Sequence, residues 1–167
     1  MDDELFVEID EFENKIWKNK RGLRHRLDGP AIEWSNGHKE WYQNGELHRL
    51  DGPAIDYPDG NKYWYKNGRL HRLDGPARER KNGTKEWFQN GKWHRLDGPA
   101  IYNADGSKAW YQEGKLHRVD GPGREFAGGR KEWWLNDILY KTKEEYFNAL
   151  SDEAKTKCLF SEDFLNG

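Results

Sequence analysis

Five histidines, His25, His48, His71, His94 and His117, stand 23 residues apart with no insertion between them. A strict internal period of this length restricts a chain to stacked architectures, in which one supersecondary unit cannot bury its apolar face alone and is covered by its neighbours. Each histidine opens the string His-Arg-(Leu/Val)-Asp-Gly-Pro, and Ala follows four times before Gly123 takes its place. Later in each unit come Gly37, Gly60, Gly83, Gly106 and Gly129. Two residues on are Lys39, Lys62, Lys85, Lys108 and Lys131, and after a further two Trp41, Trp64, Trp87, Trp110 and Trp133.

Turn residues set the secondary structure inside a unit. Asn36-Gly37, Asp59-Gly60, Asn82-Gly83 and Asp105-Gly106 read as two-residue hairpin loops, because a type I′ turn needs positive φ at both central positions. Asn44-Gly45, Asn67-Gly68, Asn90-Gly91 and Glu113-Gly114 make a second set. The pieces between them, such as residues 31–35 and 38–43, have strand length and aromatic content. Two antiparallel strands per repeat are expected, joined into one long meander.

The ends break the period. Residues 1–16 hold Asp2, Asp3, Glu4, Glu8, Asp10, Glu11 and Glu13 against Lys15 alone, while Leu5, Val7 and Ile9 alternate along the segment. That pattern predicts an acidic capping strand whose charge discourages further strand addition. One residue is inserted on the way into the first unit: Trp17 lies eight residues before His25, whereas Trp41 lies seven before His48. At the far end Thr142-Lys143-Glu144-Glu145 has the capping-box form, and Tyr146, Phe147, Leu150, Ala154 and Cys158 follow at helical spacing. The spacing predicts a helix over 143–159. The expected fold is mainly β, an elongated single-sheet solenoid or meander of five 23-residue β-hairpin repeats with a C-terminal capping helix. Its domains are the capping strand over 1–16, the repeat array over 17–140 and the helical cap over 141–167.

Composition decides what can fill such a stack. The 167 residues carry 28 Lys+Arg against 30 Asp+Glu, a net charge of -2, and a mean hydropathy of -1.23. Leu, Ile, Val and Phe make up roughly 17% of the chain, below the ~20% at which low aliphatic content suggests disorder. The 9 Trp, 8 Tyr and 7 Phe oppose that reading, since each ring can bury ~150–250 Å² and disordered chains are poor in them. Rings must therefore hold the fold. No apolar run approaches the ~20 residues needed to cross a bilayer, and Met1-Asp2-Asp3-Glu4 lacks the basic start of a signal peptide, so a soluble cytoplasmic protein is expected. Cys158 alone can form neither an internal disulfide nor a zinc site of several thiolates.

The unit Trp41-Tyr42-Gln43-Asn44-Gly45-Glu46-Leu47-His48, followed by a second Gly-centred turn, resembles the MORN repeat, above all its divergent bacterial and viral variant. The resemblance covers roughly residues 17–140. After the histidine the chain departs from the usual MORN form, with Arg-Leu-Asp-Gly-Pro-Ala where Gly generally stands. These HRxDGPA units are similar to repeats in tailed-phage proteins. The MORN resemblance implies a single curved sheet of successive hairpins used for binding or scaffolding, without catalytic residues.

Counting outward from two-residue loops sorts the side chains onto two faces. Trp34 then opposes Lys39, Ile32 opposes Trp41, and Trp41 opposes His48. The other face sets Glu33 opposite Glu40 and Glu40 opposite Arg49, a row that recurs at Glu79, Glu86 and Arg95 and, in the last unit, at Glu125, Glu132 and Lys141. Equivalent residues two strands on lie ~9.6 Å apart. On that spacing Trp41, Trp64, Trp87, Trp110 and Trp133 form a stripe beside Lys39, Lys62, Lys85, Lys108 and Lys131. This stripe is a candidate binding surface, either a core of rings interleaved with lysine stems or an open aromatic and basic groove. His48, Arg49, His71, Arg72, His94 and Arg95 are candidate ligand contacts in the loops.

Five histidines with five aspartates resemble a metal or catalytic array, but Zn–N bonds of ~2.0–2.1 Å prevent equivalents one repeat apart from sharing an ion. His-Arg-Leu-Asp also matches a fragment of the protein-kinase catalytic loop, a false lead given its five copies and the lack of a GxGxxG loop. Asp28-Gly29-Pro30 is instead expected to bend, with Asp28 accepting from turn N–H groups or from Arg26. No catalytic residue, metal or cofactor is expected. The expected function is a non-catalytic protein-binding module, a phage accessory protein that binds or inhibits a bacterial host defence protein in the host cytoplasm. Sequestration of a small anionic ligand such as a nucleotide by the repeat loops is the alternative. Nucleic-acid or membrane-surface binding through the Lys row ranks behind both, because acids on the same hairpins offset the lysines. The open sheet edges leave pairing into a homo-oligomer open.

Overall fold

A computed structural model describes residues 4–165 of the chain, so residues 1–3 and 166–167 of the two expected caps lie outside the described residues. The repeats fold as a 13-stranded antiparallel meander that stays open, accompanied by small two-stranded sheets and C-terminal helices. The chain divides into two compact units, one of Met1–Asn82 with Phe88–Gly91 and the other of Gly83–Trp87 with Lys92–Gly167.

The two turns of a repeat have different chemistry. At the second, Asn44 (φ 50°) and Gly45 (φ 85°) are both left-handed, as a type I′ loop requires, and Tyr42 faces Leu47 in the expected register. The first turn is one residue longer than expected. Trp34 N–H donates to the His38 carbonyl at 2.9 Å, closing a three-residue loop in which only Gly37 has positive φ. Asn36 stands there for its side chain, whose oxygen accepts the His38 N–H at 3.0 Å; Asp59 and Asp105 do the same for Asn61 and Ser107. The extra residue shifts the register, so Glu33 faces Lys39 and Ile32 faces Glu40, instead of Trp34 facing Lys39 and Glu33 facing Glu40. In the first unit the result is an alternating cross-strand row of Lys15, Glu33, Lys39, Asp56, Lys62 and Glu79. Opposite charges face one another where the expected register would have set acid against acid.

Five tryptophans, Trp17, Trp41, Trp64, Trp87 and Trp110, are pivots between two hairpins. Trp41 N–H donates to the Ala54 carbonyl in the neighbouring strand of the meander at 2.8 Å, and its own carbonyl accepts the His48 N–H at 3.0 Å in the second hairpin. Trp17, Trp64, Trp87 and Trp110 make the same pair of bonds. The repeat thus breaks into strands of two residues, such as Lys39–Glu40 in the meander and Tyr42–Gln43 in a separate hairpin with Glu46–Leu47. The residues whose carbonyls receive the first four of these tryptophan N–H groups, Ala31, Ala54, Ala77 and Ala100, are fully buried.

The fourth type I′ turn carries an avoidable strain. Glu113 adopts φ 50°, where the equivalent residues are Asn44, Asn67 and Asn90. Asn tolerates the left-handed region better than Glu. Glu113→Asn is expected to stabilise the protein by about 0.5–1 kcal/mol, read as a melting temperature roughly 1–4 °C higher.

At the N-terminal edge β1 (Leu5–Ile9) pairs with β2 (Lys15–Asn19), with Val7 opposite Trp17. The residue inserted before His25 widens the next loop: Asn19 N–H bonds to the Leu23 carbonyl, leaving Lys20, Arg21 and Gly22 between them. At the other end the single helix expected over 143–159 is instead two, α1 (Lys143–Ala149) and α2 (Asp152–Leu159), and a third, α3 (Glu162–Leu165), follows beyond that range. Thr142 Oγ1 accepts the Glu145 N–H at 3.0 Å, as the capping box predicts. Serine chemistry breaks the run, because Ser151 and Ser161 accept the Ala154 and Phe164 N–H groups and start new helices. The cap has its own core, in which Trp133, Leu135, Tyr146, Leu150, Ala154, Cys158 and Phe164 are buried together.

Candidate binding face

The His-Arg-Leu-Asp-Gly-Pro string folds into a clamp around its arginine. Arg49 lies 4.0 Å from the centre of the Trp41 ring, donates Nε to Asp51 Oδ1 at 2.9 Å and donates Nη1 to the Pro53 carbonyl at 3.2 Å. The same three contacts recur for Arg26 on Trp17, Arg72 on Trp64, Arg95 on Trp87 and Arg118 on Trp110. Glycine lets the guanidinium lie close: a Cβ at Gly52 would stand 2.8 Å from Arg49 Cζ, and at the other four positions 2.7–3.0 Å from the equivalent atom, so a side chain there would push the arginine off its ring. The hydrogen bond from Arg49, reinforced by its charge, holds the Asp51 carboxyl below the usual carboxylate range, and Asp28, Asp74 and Asp97 are lowered in the same way. The acids expected in a row with Arg49, Arg95 and Lys141 pair elsewhere. Glu33 lies 3.6 Å from Arg26, Glu79 3.1 Å from Arg72 and Glu125 3.3 Å from Arg118.

Histidine serves the next repeat. His25, His48, His71 and His94 accept through Nδ1 the backbone N–H of Asn44, Asn67, Asn90 and Glu113, the strained first residue of the following type I′ turn. That contact alone places the proton on Nε2 in the neutral ring, but Nδ1 of His48 lies 2.8 Å from Asn67 Oδ1 and Nδ1 of His94 2.8 Å from Glu113 Oε1, so in those two repeats the same nitrogen meets an acceptor as well as a donor.

With arginine and aspartate occupied, the leucine points outward. Leu27, Leu50, Leu73 and Leu96 are 68%, 76%, 75% and 75% exposed. Between successive loops of the first unit lie two open grooves. One, of about 560 Å³, has Arg49-Leu50-Asp51 and Arg72-Leu73-Asp74 as walls and Trp64, Lys66 and His71 below. The other, of about 480 Å³, has Arg26-Leu27-Asp28 and Arg49-Leu50-Asp51 as walls with Trp41 and His48 below.

Of the residues singled out in the sequence, the grooves bring together Trp41, Trp64, His48, Arg49, His71 and Arg72. His94 and Arg95 repeat the same construction on Trp87. Trp110 carries Arg118, and Trp133 is buried in the cap. The lysines lie elsewhere. Lys39 and Lys62 alternate with acids in the meander; Lys85 faces Tyr102, and Lys108 and Lys131 both face Glu125. The exposed leucines were missed as site residues, although an aliphatic repeated within a string of turn residues is a usable signal.

The fifth loop is covered. Val119 packs against the cap cluster, Tyr146 Oη donates to the Arg118 carbonyl at 2.7 Å, Cys158 Sγ to the Val119 carbonyl at 2.7 Å and Ser161 Oγ to the Asp120 carbonyl at 2.5 Å. Asp163 takes the remaining Arg118 Nη2. Burial pushes the Cys158 thiol up to about 11, which keeps it a neutral donor. Among the described residues no group of three or more His, Cys, Asp or Glu is placed to hold a metal, and no helix is long and apolar enough to cross a membrane. No protein-family model and no curated protein matches this chain.

Proposed function

We propose that the chain is a non-catalytic protein-binding module, MORN-like in its repeats, that presents the loops at Leu27, Leu50 and Leu73 to a protein partner. The exposed leucines carry this reading. Each sits on a loop held by its arginine clamp, so little conformational freedom is left to lose on association. Covering each leucine would contribute about 1.5–3 kcal/mol. Other readings fare worse on the same geometry. A small anion would compete with Asp51 and Asp74 for guanidinium groups already engaged, and a phosphate backbone would meet lysines that alternate with carboxylates. The similarity of the HRxDGPA units to tailed-phage repeats supports a viral accessory protein acting on a bacterial host factor.

The test is a double substitution, Leu50→Glu with Leu73→Glu. Because both side chains are about three-quarters exposed, melting should stay within about 2 °C of the parent. A protein retained stoichiometrically by the parent from bacterial lysate should be lost by the variant. Equal retention by both would overturn the assignment of the face.

A further inference from the structure

We infer that the outer edge of β1 (Leu5–Ile9) takes up a strand of a second protein in which lysine or arginine alternates with aliphatic residues. This edge is separate from the leucine loops, and the inference does not rest on them. Antiparallel neighbours alternate between residues that exchange both main-chain hydrogen bonds and residues that exchange none. Trp17 directs both of its groups to the far side of β2, its N–H to the Ala31 carbonyl at 2.8 Å and its carbonyl to the His25 N–H at 3.0 Å, so Val7 opposite it has no bond to β2. Alternation places Leu5 and Ile9 in the same state. The N–H and C=O groups of Leu5, Val7 and Ile9 therefore face outward, and among the described residues β1 pairs with β2 alone.

The side chains of the same three residues share one face of the strand and are 38%, 52% and 62% exposed. Glu4, Phe6 and Glu8 share the other face. Glu8 reaches Lys18 at 2.7 Å, yet its side chain stays 60% exposed. Residues 1–14 carry seven acids and no base. An apolar edge with open main-chain groups is a template for strand addition, and here the acids decide what adds. A second β1 fits poorly: with Val7 facing Val7 in an antiparallel pair, Glu4 would stand opposite Asp10 and two acidic segments would meet. The charge that repels a like strand attracts a basic one. On such a partner, aliphatic side chains would cover Leu5, Val7 and Ile9, and basic ones would lie beside Glu4 and Glu8.

The probe is the peptide Lys-Ile-Lys-Val-Lys-Ile-Lys, about seven residues being an ordinary strand length. Its aliphatic residues would bond Leu5, Val7 and Ile9 through their main chain, whereas its lysine amides would face solvent. Two versions carry equal numbers of N-methyl groups, one on two aliphatic amides and the other on two lysine amides. The lysine-methylated peptide should bind the full chain at least roughly tenfold tighter, the effect of two ordinary hydrogen bonds, and both should weaken as salt rises. The amides of Leu5, Val7 and Ile9 should gain protection from hydrogen exchange in the complex. Val7→Pro, which removes an outward N–H and none that bonds to β2, should lose the peptide, while Leu50→Glu/Leu73→Glu should keep it. Equal binding of the two peptides, or no binding at low salt, would overturn the inference whatever the loops bind. Loss of the peptide in the leucine variant would place it on the loops, and a dimer abolished by Val7→Pro with no response to peptide would give the edge to a second copy; either would overturn it as well.

Discussion

Arg118→Ala should destabilise the protein by about 2–4 kcal/mol, the cost of losing the ring stacking and several charge-assisted hydrogen bonds of a buried guanidinium, and lower its melting temperature by roughly 4–16 °C. The side chain is 8% exposed, stacks on Trp110 and donates to Asp120, Glu125, Asp163 and the Pro122 carbonyl. Burial opposes its charge, but Asp163 and Asp120 outweigh that cost and raise its affinity for the proton above the ordinary guanidinium value. Truncation leaves the Pro122 carbonyl without this donor inside the fold and removes the ion pair between loop and cap. Two companions give scale. Arg72→Ala removes the same stacking and bonds from a side chain 23% exposed and uncovered by helices, and should cost about 1–3 kcal/mol. Asp163→Asn should cost at most about 1 kcal/mol, because the carboxylate is 60% exposed. Thermal melts of the three variants should rank in that order; an Arg118→Ala protein that melts like Asp163→Asn would show that the clamp does not anchor the cap.

Gly123→Ala should also destabilise, by about 1–3 kcal/mol, although it installs the residue that four other repeats carry at this position. A Cβ at Gly123 would stand 2.7 Å from the Cβ of Trp134, an atom fixed to the backbone and unable to swing away. The fifth repeat differs in its strand. Lys131–Leu135 runs unbroken through Trp133, where earlier repeats break into two short pieces at the tryptophan. Continuity brings residue 134 against residue 123 and leaves room for hydrogen only. The reverse change, Ala77→Gly, should cost roughly 1 kcal/mol through added chain entropy and a lost methyl. Gly123→Ala melting at or above the parent temperature would mean that the two segments part freely.

The repeat, its two turns and the helical end were legible because each rests on local chemistry. Asn44-Gly45 can form one tight turn only, and Thr142 begins a capping box. The first turn was ambiguous for a physical reason: asparagine and aspartate suit both a left-handed position and a side-chain bond to the residue two ahead, and Asn36 does the second. Charge held the better clue, since Glu33 facing Lys39 is favoured over Glu33 facing Glu40. The clamp was half visible, with Asp28 expected to accept from turn N–H groups or from Arg26, but the stacking of Arg49 on Trp41, eight residues earlier, was not. Exposure of Leu50 depends on tertiary placement, which no local pattern encodes. Ser151 and Ser161, each followed by two acids, carry the chemistry of a helix start, which the continuous helical spacing of the apolar residues masks.

The histidine that steadies the following turn ties every unit to its successor and to nothing farther away. Copy number can therefore change by whole units through recombination, with no seam to repair. Each duplication would add another clamped loop with its exposed leucine, so the number of such loops would rise in integer steps while the chemistry of a single loop stayed the same.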